Sequence, residues 1–235
     1  MGDNQITILY CSSNKEMPKF EQRIRDNILK YCGDIPIVSV TQKPIDFGTN
    51  ICVGDEIGVS GFNFFRQSLI ACQAATTPFV LSCEADCVYP PDYFKWIPER
   101  LDKCYRNTNL YVMGQHRKYF FKKGVDGDPT SGATHSQIVG RDFYIKNLER
   151  LFEGEPQWDA NQKNFPKEKF HKKYEDVFAK DDLVAYETEN PVVQIKTSQS
   201  MRNYTKSDRI AHHNIKYWGS GADFRKKFYE IGIIH

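Results

Sequence analysis

The stretch Phe79-Val80-Leu81-Ser82-Cys83-Glu84-Ala85-Asp86-Cys87-Val88-Tyr89-Pro90-Pro91 decides the fold class of this chain. Its short apolar run predicts a buried strand that ends in two carboxylates, Glu84 and Asp86, before the proline pair stops the element. Carboxylates at the end of a buried strand cost free energy unless a positive charge lies on them, so a divalent metal ion is their natural partner. A plain acidic turn is the alternative, because an acidic pair alone is a weak motif.

The residues before this stretch alternate between strand and helix patterns. Strands are predicted at Ile6–Tyr10 and Ile35–Val40, and helices at residues 16–32 and 62–75. This order predicts an α/β fold, with a mixed, mostly parallel sheet flanked by helices in a single domain.

Polar side chains fall at the carboxyl ends of three of these strands. They are Ser12, Thr41 and the pair Glu84 and Asp86. Ligands of open α/β sheets bind beyond the carboxyl ends of the strands. The sequence therefore predicts a ligand site at this edge, with the acidic pair in it.

The composition is that of a soluble globular protein. The 235 residues are 40% hydrophobic and 26% charged, and no apolar run reaches the length of a membrane span. The seven cysteines form no Cys-x-x-Cys pair, which predicts reduced thiols in a cytoplasmic compartment. The formal net charge of +2 neither demands nor excludes a nucleic-acid partner.

The second half of the chain is less regular. Its predicted elements are a helix at Asp92–Tyr105, a strand at Leu110–Gly114, a basic and aromatic loop at Gln115–Lys123, a strand at Ser136–Gly140, a helix at about 141–152, a polar loop at 153–173, a short helix at Glu175–Lys180 and a strand at Val192–Lys196. No internal repeat and no interdomain linker is visible.

With these pieces in order, the chain resembles the GT-A-fold glycosyltransferases, especially the inverting, family-2-like kind. The resemblance covers roughly residues 5–180, with a looser match in the tail. It is carried by Cys11–Asn14 after the first strand, by Gly61–Gln67, by Phe79–Asp86, which looks like the Asp-x-Asp strand of the family, and by the later acidic pair Glu175-Asp176. The chain departs from the pattern mildly, with Glu rather than Asp at position 84.

The resemblance implies one Rossmann-like catalytic domain over residues 1–235. Its nucleotide-sugar half would span about 5–105, its acceptor half about 106–206, and a tail at 207–235 would close the site. The expected donor is a nucleotide-diphosphate sugar, and the expected cofactor is Mn²⁺ or Mg²⁺, which neutralises the departing diphosphate as a Lewis acid.

The same resemblance assigns residues to the donor and the metal. Asp86 would bind the metal directly, and Glu84 would touch the metal, its water or the ribose. Ser12 and Thr41 would lie against the nucleotide. Arg66 would contact the phosphate or the sugar, unless it is a plain helix-surface arginine. Tyr10 would stack on the base, unless it is a core tyrosine.

Inversion needs a general base that takes the proton of the acceptor hydroxyl. Asp176 is the expected base, with Glu175 as the second choice. The alternative is a solvated helical face with local ion pairs, which the downstream Asp181 and Asp182 keep open.

The tail resembles the segment with which several of these enzymes complete the metal and diphosphate site. His212 or His213 would be a third metal ligand, Lys216 would meet phosphate, and Trp218 would lie against the donor. Surface histidines are the alternative.

The acceptor is the open question. The loop Arg117–Lys123 interleaves four cations with three aromatics, and it could form a basic rim with other cations beside the site. Those cations are Lys167, Lys169, Lys172, Lys173 and the cluster Arg225–Lys227. A hydroxymethylated pyrimidine flipped out of DNA would suit such a rim, as in phage-type DNA glycosyltransferases. A glycan or protein acceptor, a nucleotidyltransferase, and a non-catalytic domain that binds nucleotide sugar or nucleic acid are the alternatives.

Overall fold

A computed structural model describes residues 4–160, 177–200 and 210–229 of the chain. In chain order the strands are β1 (Ile6–Ser12), β2 (Ile37–Thr41), β3 (Thr49–Cys52), β4 (Phe79–Glu84), β5 (Cys87–Val88), β6 (Cys104–Asn107), β7 (Leu110–Gly114), β8 (Phe120–Lys122), β9 (Gln137–Gly140), β10 (Leu183–Tyr186), β11 (Val192–Lys196), β12 (Ala211–His212), β13 (Asn214–Ile215) and β14 (Gly219–Ser220). The α-helices are α1 (Pro18–Cys32), α2 (Gly61–Ala74), α3 (Arg141–Phe152) and α4 (Gly221–Phe228).

The main sheet has the strand order β10-β6-β9-β4-β1-β2-β3. The neighbours β3, β2, β1 and β4 run parallel, and β9 is antiparallel to both β4 and β6. Every residue of β1 is buried, as expected for a central strand that is covered on both faces. The predicted mixed, mostly parallel sheet is confirmed, which is the architecture that the GT-A resemblance implied.

Helices cover both faces of the main sheet. On one face α1 buries Phe20, Ile24 and Ile28, which are four residues apart and therefore share one side of the helix. These side chains join a core cluster with β1 and with the second sheet. On the other face α2 and α3 pack together over the sheet in a second cluster. None of the helices in the described part of the chain is both long and apolar enough to cross a membrane.

A second sheet, which the sequence did not predict, has the order β12-β8-β7-β11-β5. The chain leaves the main sheet at the end of β4 and, after two intervening residues, enters the second sheet at β5. Asp86 lies in the turn between them. The acidic pair therefore stands at the junction of the two sheets.

The predicted helix at Asp92–Tyr105 is wrong. The structure has one turn of 3-10 helix at Pro91–Phe94, followed by irregular chain and then by β6. Pro98 explains the difference, because a proline disfavours the helical conformation of the preceding residue and lacks the N–H that a helix interior needs.

One predicted loop also contains a strand, because the basic loop at Gln115–Lys123 includes β8. The strand β3 lies in a stretch for which no element was predicted. The division into donor and acceptor halves and the closing role of the tail stay predictions.

Candidate active site

The carboxyl ends of β1, β2 and β4 lie side by side. In the register of the main sheet Ser12 of β1 is opposite Thr41 of β2, and Cys11 of β1 is opposite Glu84 of β4. The structure therefore brings together the three strand ends at which the sequence predicted a ligand site. Ser12 and Thr41 are buried, and their hydroxyl groups bond to the chain: Ser12 Oγ accepts from the Asn14 N–H at 2.9 Å, and Thr41 Oγ1 donates to the Lys43 carbonyl at 2.6 Å.

Three carboxylates converge at the sheet junction. Glu84 and Asp86 come from the end of β4, and Glu16 comes from the turn after β1. The Thr134 hydroxyl donates to Glu84 at 3.5 Å, and the Thr197 hydroxyl donates to Glu16 at 2.7 Å. Each carboxylate is half-buried. The group is a candidate set of oxygen ligands for a hard divalent cation.

The electrostatics of this group favour a bound cation. Loss of water, and after it the charge of Asp86, raise the pKa of Glu84 to about 7, although Lys196 and Lys123 act in the opposite direction. Loss of water also raises the pKa of Glu16 to about 7, where the Thr197 hydrogen bond opposes the shift and Asp86 adds to it. Both glutamates thus lack enough positive charge around them, and a divalent ion would supply it.

Two lysines face the acidic group from the second sheet. Lys123 directly follows β8, and its Nζ lies 3.3 Å from Gln194 Oε1. Lys196 ends β11, and its charge acts on both Glu84 and Glu16. Ammonium groups beside a carboxylate site can bind the phosphates of a metal–diphosphate complex, so the arrangement has the charges that such a ligand needs.

His135 and Cys87 lie beside Glu84. His135 lies in the 3-10 turn Thr134–Ser136 that precedes β9, and this turn packs against β4. One donor atom each of Glu84, Cys87 and His135 lies within 4.8 Å of the others. Burial holds the pKa of His135 well below its usual value and that of the Cys87 thiol well above it, so the imidazole is neutral and the thiol is protonated.

Tyr10 and Arg66 have core roles in the structure. The Tyr10 ring is fully buried, with its hydroxyl donating to Glu21 at 2.9 Å, so it presents no surface on which a base could stack. Of the two alternatives left open by the sequence, the core tyrosine is the one observed. Arg66 lies 3.9 Å from the Phe152 ring centre and donates to the carbonyl of Pro156 at 2.7 Å. It therefore joins α2 to the end of α3.

The tail residues lie away from the acidic group. His212 is in β12, at the opposite edge of the second sheet from β5, which corresponds to about 19 Å at the usual strand spacing. His213 contacts the ring of Tyr119, with 5.8 Å between centres. Lys216 pairs with Glu189 at 3.0 Å, and the Trp218 indole donates to the Pro191 carbonyl at 2.6 Å. The structure does not bring these four residues to Glu84 and Asp86, and their roles as ligands stay predictions.

The expected bases Glu175 and Asp176 lie outside the described residues, as do Lys167, Lys169, Lys172 and Lys173.

Sequence reasoning missed Glu16, His135, Gln194 and Lys196 as members of the site. A signal for Glu16 was present, because it stands in the turn after the first strand, where ligands bind. His135 can be assigned to the site only when the packing of the turn before β9 is known. Gln194 and Lys196 can be assigned to it only when the pairing of the second sheet is known.

No family model and no curated protein sequence matches the chain. Its fold is similar to that of a glycosyltransferase involved in the glycosylation of the major capsid of PBCV-1, with 15% identity and a TM-score of 0.46 over 77% of this chain and 81% of that one. It is also similar to the mannosyltransferase PcManGT from Pyrobaculum calidifontis, solved with GDP-Man and Mn²⁺, with 15% identity and a TM-score of 0.47 over 83% of this chain and 58% of that one.

The inositol-1-phosphate CTP transferase from T. maritima is similar to the same degree, with 11% identity and a TM-score of 0.47 over 84% of this chain and 91% of that one. Glycosyltransferases and a nucleotidyltransferase therefore both stand among the similar structures. These likenesses by themselves assign no reaction to this chain.

Proposed function

We propose that this chain is a metal-dependent glycosyltransferase, which moves a sugar from a nucleotide-diphosphate sugar to a hydroxyl acceptor. The observation that supports this most is the meeting of Glu16, Glu84 and Asp86 with Lys123 and Lys196 at the carboxyl ends of the parallel strands. Transfer from such a donor needs a site that accepts a divalent ion and a diphosphate together, and here carboxylates lie within electrostatic reach of lysines.

The residues present fit Mn²⁺ or Mg²⁺. Asp86 and Glu84 would hold the ion, and Glu16, whose pKa is raised by burial and by the charge of Asp86, would bind it directly or through water. The bound ion supplies Lewis acidity toward the departing diphosphate. Lys123 and Lys196 would bind its oxygens and stabilise the charge that develops on them. The strand ends at Ser12 and Thr41 would lie against the nucleotide.

We propose inversion, with Asp176 as the base and Glu175 as the second choice. These two assignments depend on the resemblance alone. A cytoplasmic location is proposed with them, and it is supported by the seven free cysteines, of which only Cys52 is exposed.

For the acceptor we propose a hydroxymethylated pyrimidine in DNA. Support comes from one side of the molecule, where Arg117 and Lys118 are exposed and the start of α4 packs on residues 118 and 119. The α4 cations Lys226 and Lys227 are exposed as well. Phe120 is fully buried, so the loop has fewer aromatics for an extruded base than its sequence suggests.

A donor panel assay with Mn²⁺ tests the reaction. Released nucleoside diphosphate is measured with each nucleotide sugar against hydroxymethylated DNA, plain DNA and simple glycans. We expect transfer that Asp86→Asn abolishes and that the exposed control Asp26→Asn on α1 leaves intact. Release of pyrophosphate from a nucleoside triphosphate would instead indicate nucleotidyl transfer, and no turnover with any donor would contradict the proposal.

The acceptor is tested separately by salt. With DNA as acceptor, activity should fall steeply as salt rises, and Arg117→Ala with Lys118→Ala should reduce that salt dependence. The matched control is Lys146→Ala, an exposed lysine on α3 at the other face of the sheet. Equal activity on glycans, without salt dependence, would show that the acceptor is not DNA.

A further inference from the structure

Ligand atoms of three different kinds meet beside the proposed donor site. Glu84 offers a carboxylate oxygen, Cys87 a sulfur and His135 a ring nitrogen, and these atoms lie within 4.8 Å of one another. Mg²⁺ sites are built from oxygen ligands, and a sulfur ligand is not needed for the reaction proposed above. The proposed reaction therefore does not account for this mixed set of ligand atoms.

His135 has the burial and the ring nitrogen that a metal ligand needs. It is 3% exposed, and its Nε2 has no hydrogen-bond partner among residues 4–160, 177–200 and 210–229. Buried polar atoms are nearly always paired, because an unpaired one loses its bonds to water without replacement. A neutral imidazole nitrogen in this position has a lone pair that a metal ion can take.

The neighbouring bonds hold the three residues in place. The Tyr89 hydroxyl accepts from the Glu84 N–H at 2.8 Å and donates to the His135 carbonyl at 2.9 Å. The Cys87 thiol lies 3.2 Å from Asp86 Oδ1, which brings a fourth possible ligand to the group. Such supporting bonds orient metal ligands and raise the affinity of the site.

We propose that Glu84, Cys87 and His135 form a transition-metal site that prefers Zn²⁺ or Co²⁺ to Mg²⁺, with Asp86 as its fourth ligand. Sulfur and imidazole ligands select such ions, whereas Mg²⁺ keeps to oxygen. Zinc binds sulfur at about 2.3 Å and nitrogen at about 2.0–2.1 Å, so the three atoms need to move together only slightly. The Cys87 thiol gives its proton to the solvent as the metal–sulfur bond forms.

This inference deepens the proposed function, because Glu84 and Asp86 belong to both sites. An ion held here would compete with the ion of the donor complex for the same carboxylates. The chain would then be controlled by the kind of metal available: Zn²⁺ would occupy the carboxylates that Mn²⁺ or Mg²⁺ needs.

Cobalt titration of the metal-free full-length protein tests the site without donor or acceptor. Tetrahedral Co²⁺ bound to a thiolate gives a near-ultraviolet charge-transfer band, which we expect in the wild-type protein. Cys87→Ser should abolish the band, and His135→Ala should weaken cobalt binding at least about tenfold, as loss of a ligand or its support does. Cys52→Ser, which removes the exposed cysteine, is the matched control and should keep the band.

Competition gives the second measurement. One equivalent of Zn²⁺ should remove the cobalt band, and a large excess of Mg²⁺ should leave it. Circular dichroism of each metal-free variant shows whether it is folded. The inference is overturned if folded wild-type protein gives no band, if the band survives in Cys87→Ser, or if Mg²⁺ removes it as Zn²⁺ does. A protein that shows the band but transfers no sugar would contradict only the proposed function.

Discussion

Gln194 donates from its side-chain amide to both carboxylate oxygens of Asp86, at 3.3 and 3.1 Å. The two residues meet because Gln194 of β11 lies opposite Cys87 of β5 in the second sheet. Gln194 is buried, and its own carbonyl oxygen lies 3.3 Å from Lys123 Nζ. The carboxylate that we propose as a direct metal ligand is thus oriented by a strand more than a hundred residues further along the chain.

We expect Gln194→Ala to weaken Mn²⁺ binding by about 10–100-fold, because residues that orient a metal ligand contribute on this scale. Isothermal titration of the metal-free protein measures the affinity. The exposed Gln199, in the turn after the same strand, gives the control Gln199→Ala, which should bind Mn²⁺ as the wild-type protein does. An unchanged Mn²⁺ affinity in folded Gln194→Ala would show that metal binding does not depend on the hydrogen bond from Gln194 to Asp86.

The parts of the fold that the sequence predicted are those with local signals. The helical spacing of Phe20, Ile24 and Ile28 predicted α1, and the strand patterns predicted that Ser12 and Thr41 would share one edge of a parallel sheet. Both follow from residues close in sequence, where periodicity and burial agree.

The parts that it missed depend on pairings between distant residues. The two-residue strand β5 is too short to show a pattern, and its partner β11 is fixed only by the folded chain. His135 reaches Glu84 because the 3-10 turn before β9 packs against β4, a contact that strand periodicity does not encode. The error at Asp92–Tyr105 is different, since Pro98 was a visible signal against a helix there.

Glu16 makes the stability of the metal-free protein depend on pH. Its folded pKa of about 7 lies above the ordinary 4.5, chiefly because the carboxyl group is removed from water. Between pH 4.5 and 7 the folded chain holds a proton that the unfolded chain has released, so the free energy of unfolding falls as pH rises through this window and levels off above it.

We therefore expect Glu16→Gln to lose less stability than the wild-type protein between pH 5 and pH 8, by about 1–2 kcal/mol after allowance for solvent screening. Urea denaturation at the two pH values measures this difference. The exposed Glu153→Gln, after α3, is the control and should follow the wild-type protein. Equal losses in the wild-type protein and Glu16→Gln would show that Glu16 is ionised at pH 5.

Substitution of Arg66 tests whether this side chain stabilises the fold or binds the donor. Its guanidinium packs on Phe152 and donates to the backbone of Glu155 and Pro156, at 3.2 and 2.7 Å. Replacement by Met should lower the free energy of unfolding by about 1–3 kcal/mol, through loss of charged hydrogen bonds and the cation–π contact.

The KM for the nucleotide sugar should then stay within about twofold of the wild-type value. Loss of a charged hydrogen bond to the donor would raise the KM by much more than twofold. Lys19→Met, at an exposed position of α1, controls for the loss of a cation. A raised KM in Arg66→Met, with unchanged stability, would show that Arg66 binds the donor.

Tyr89 joins the two sides of the proposed metal site through one hydroxyl group. Its oxygen bonds both the Glu84 N–H and the His135 carbonyl, and its ring stacks on Tyr93 with 4.7 Å between centres. Tyr89→Phe keeps the ring but removes the hydrogen bonds to the Glu84 N–H and to the His135 carbonyl, which should cost about 1–3 kcal/mol of stability. It should also weaken cobalt binding, because Glu84 and His135 lose the group that holds them together.

Tyr93→Phe is the matched comparison for this prediction. Tyr93 is equally buried and donates to the Ser82 carbonyl at 2.7 Å, and its hydroxyl also interacts with the Ser136 side chain, so neither Glu84 nor His135 is its partner. Both variants should be less stable in urea, and only Tyr89→Phe should bind Co²⁺ more weakly than the wild-type protein. If the two variants lose cobalt affinity equally, the loss reflects a general loosening of the core, and Tyr89 does not position the ligands.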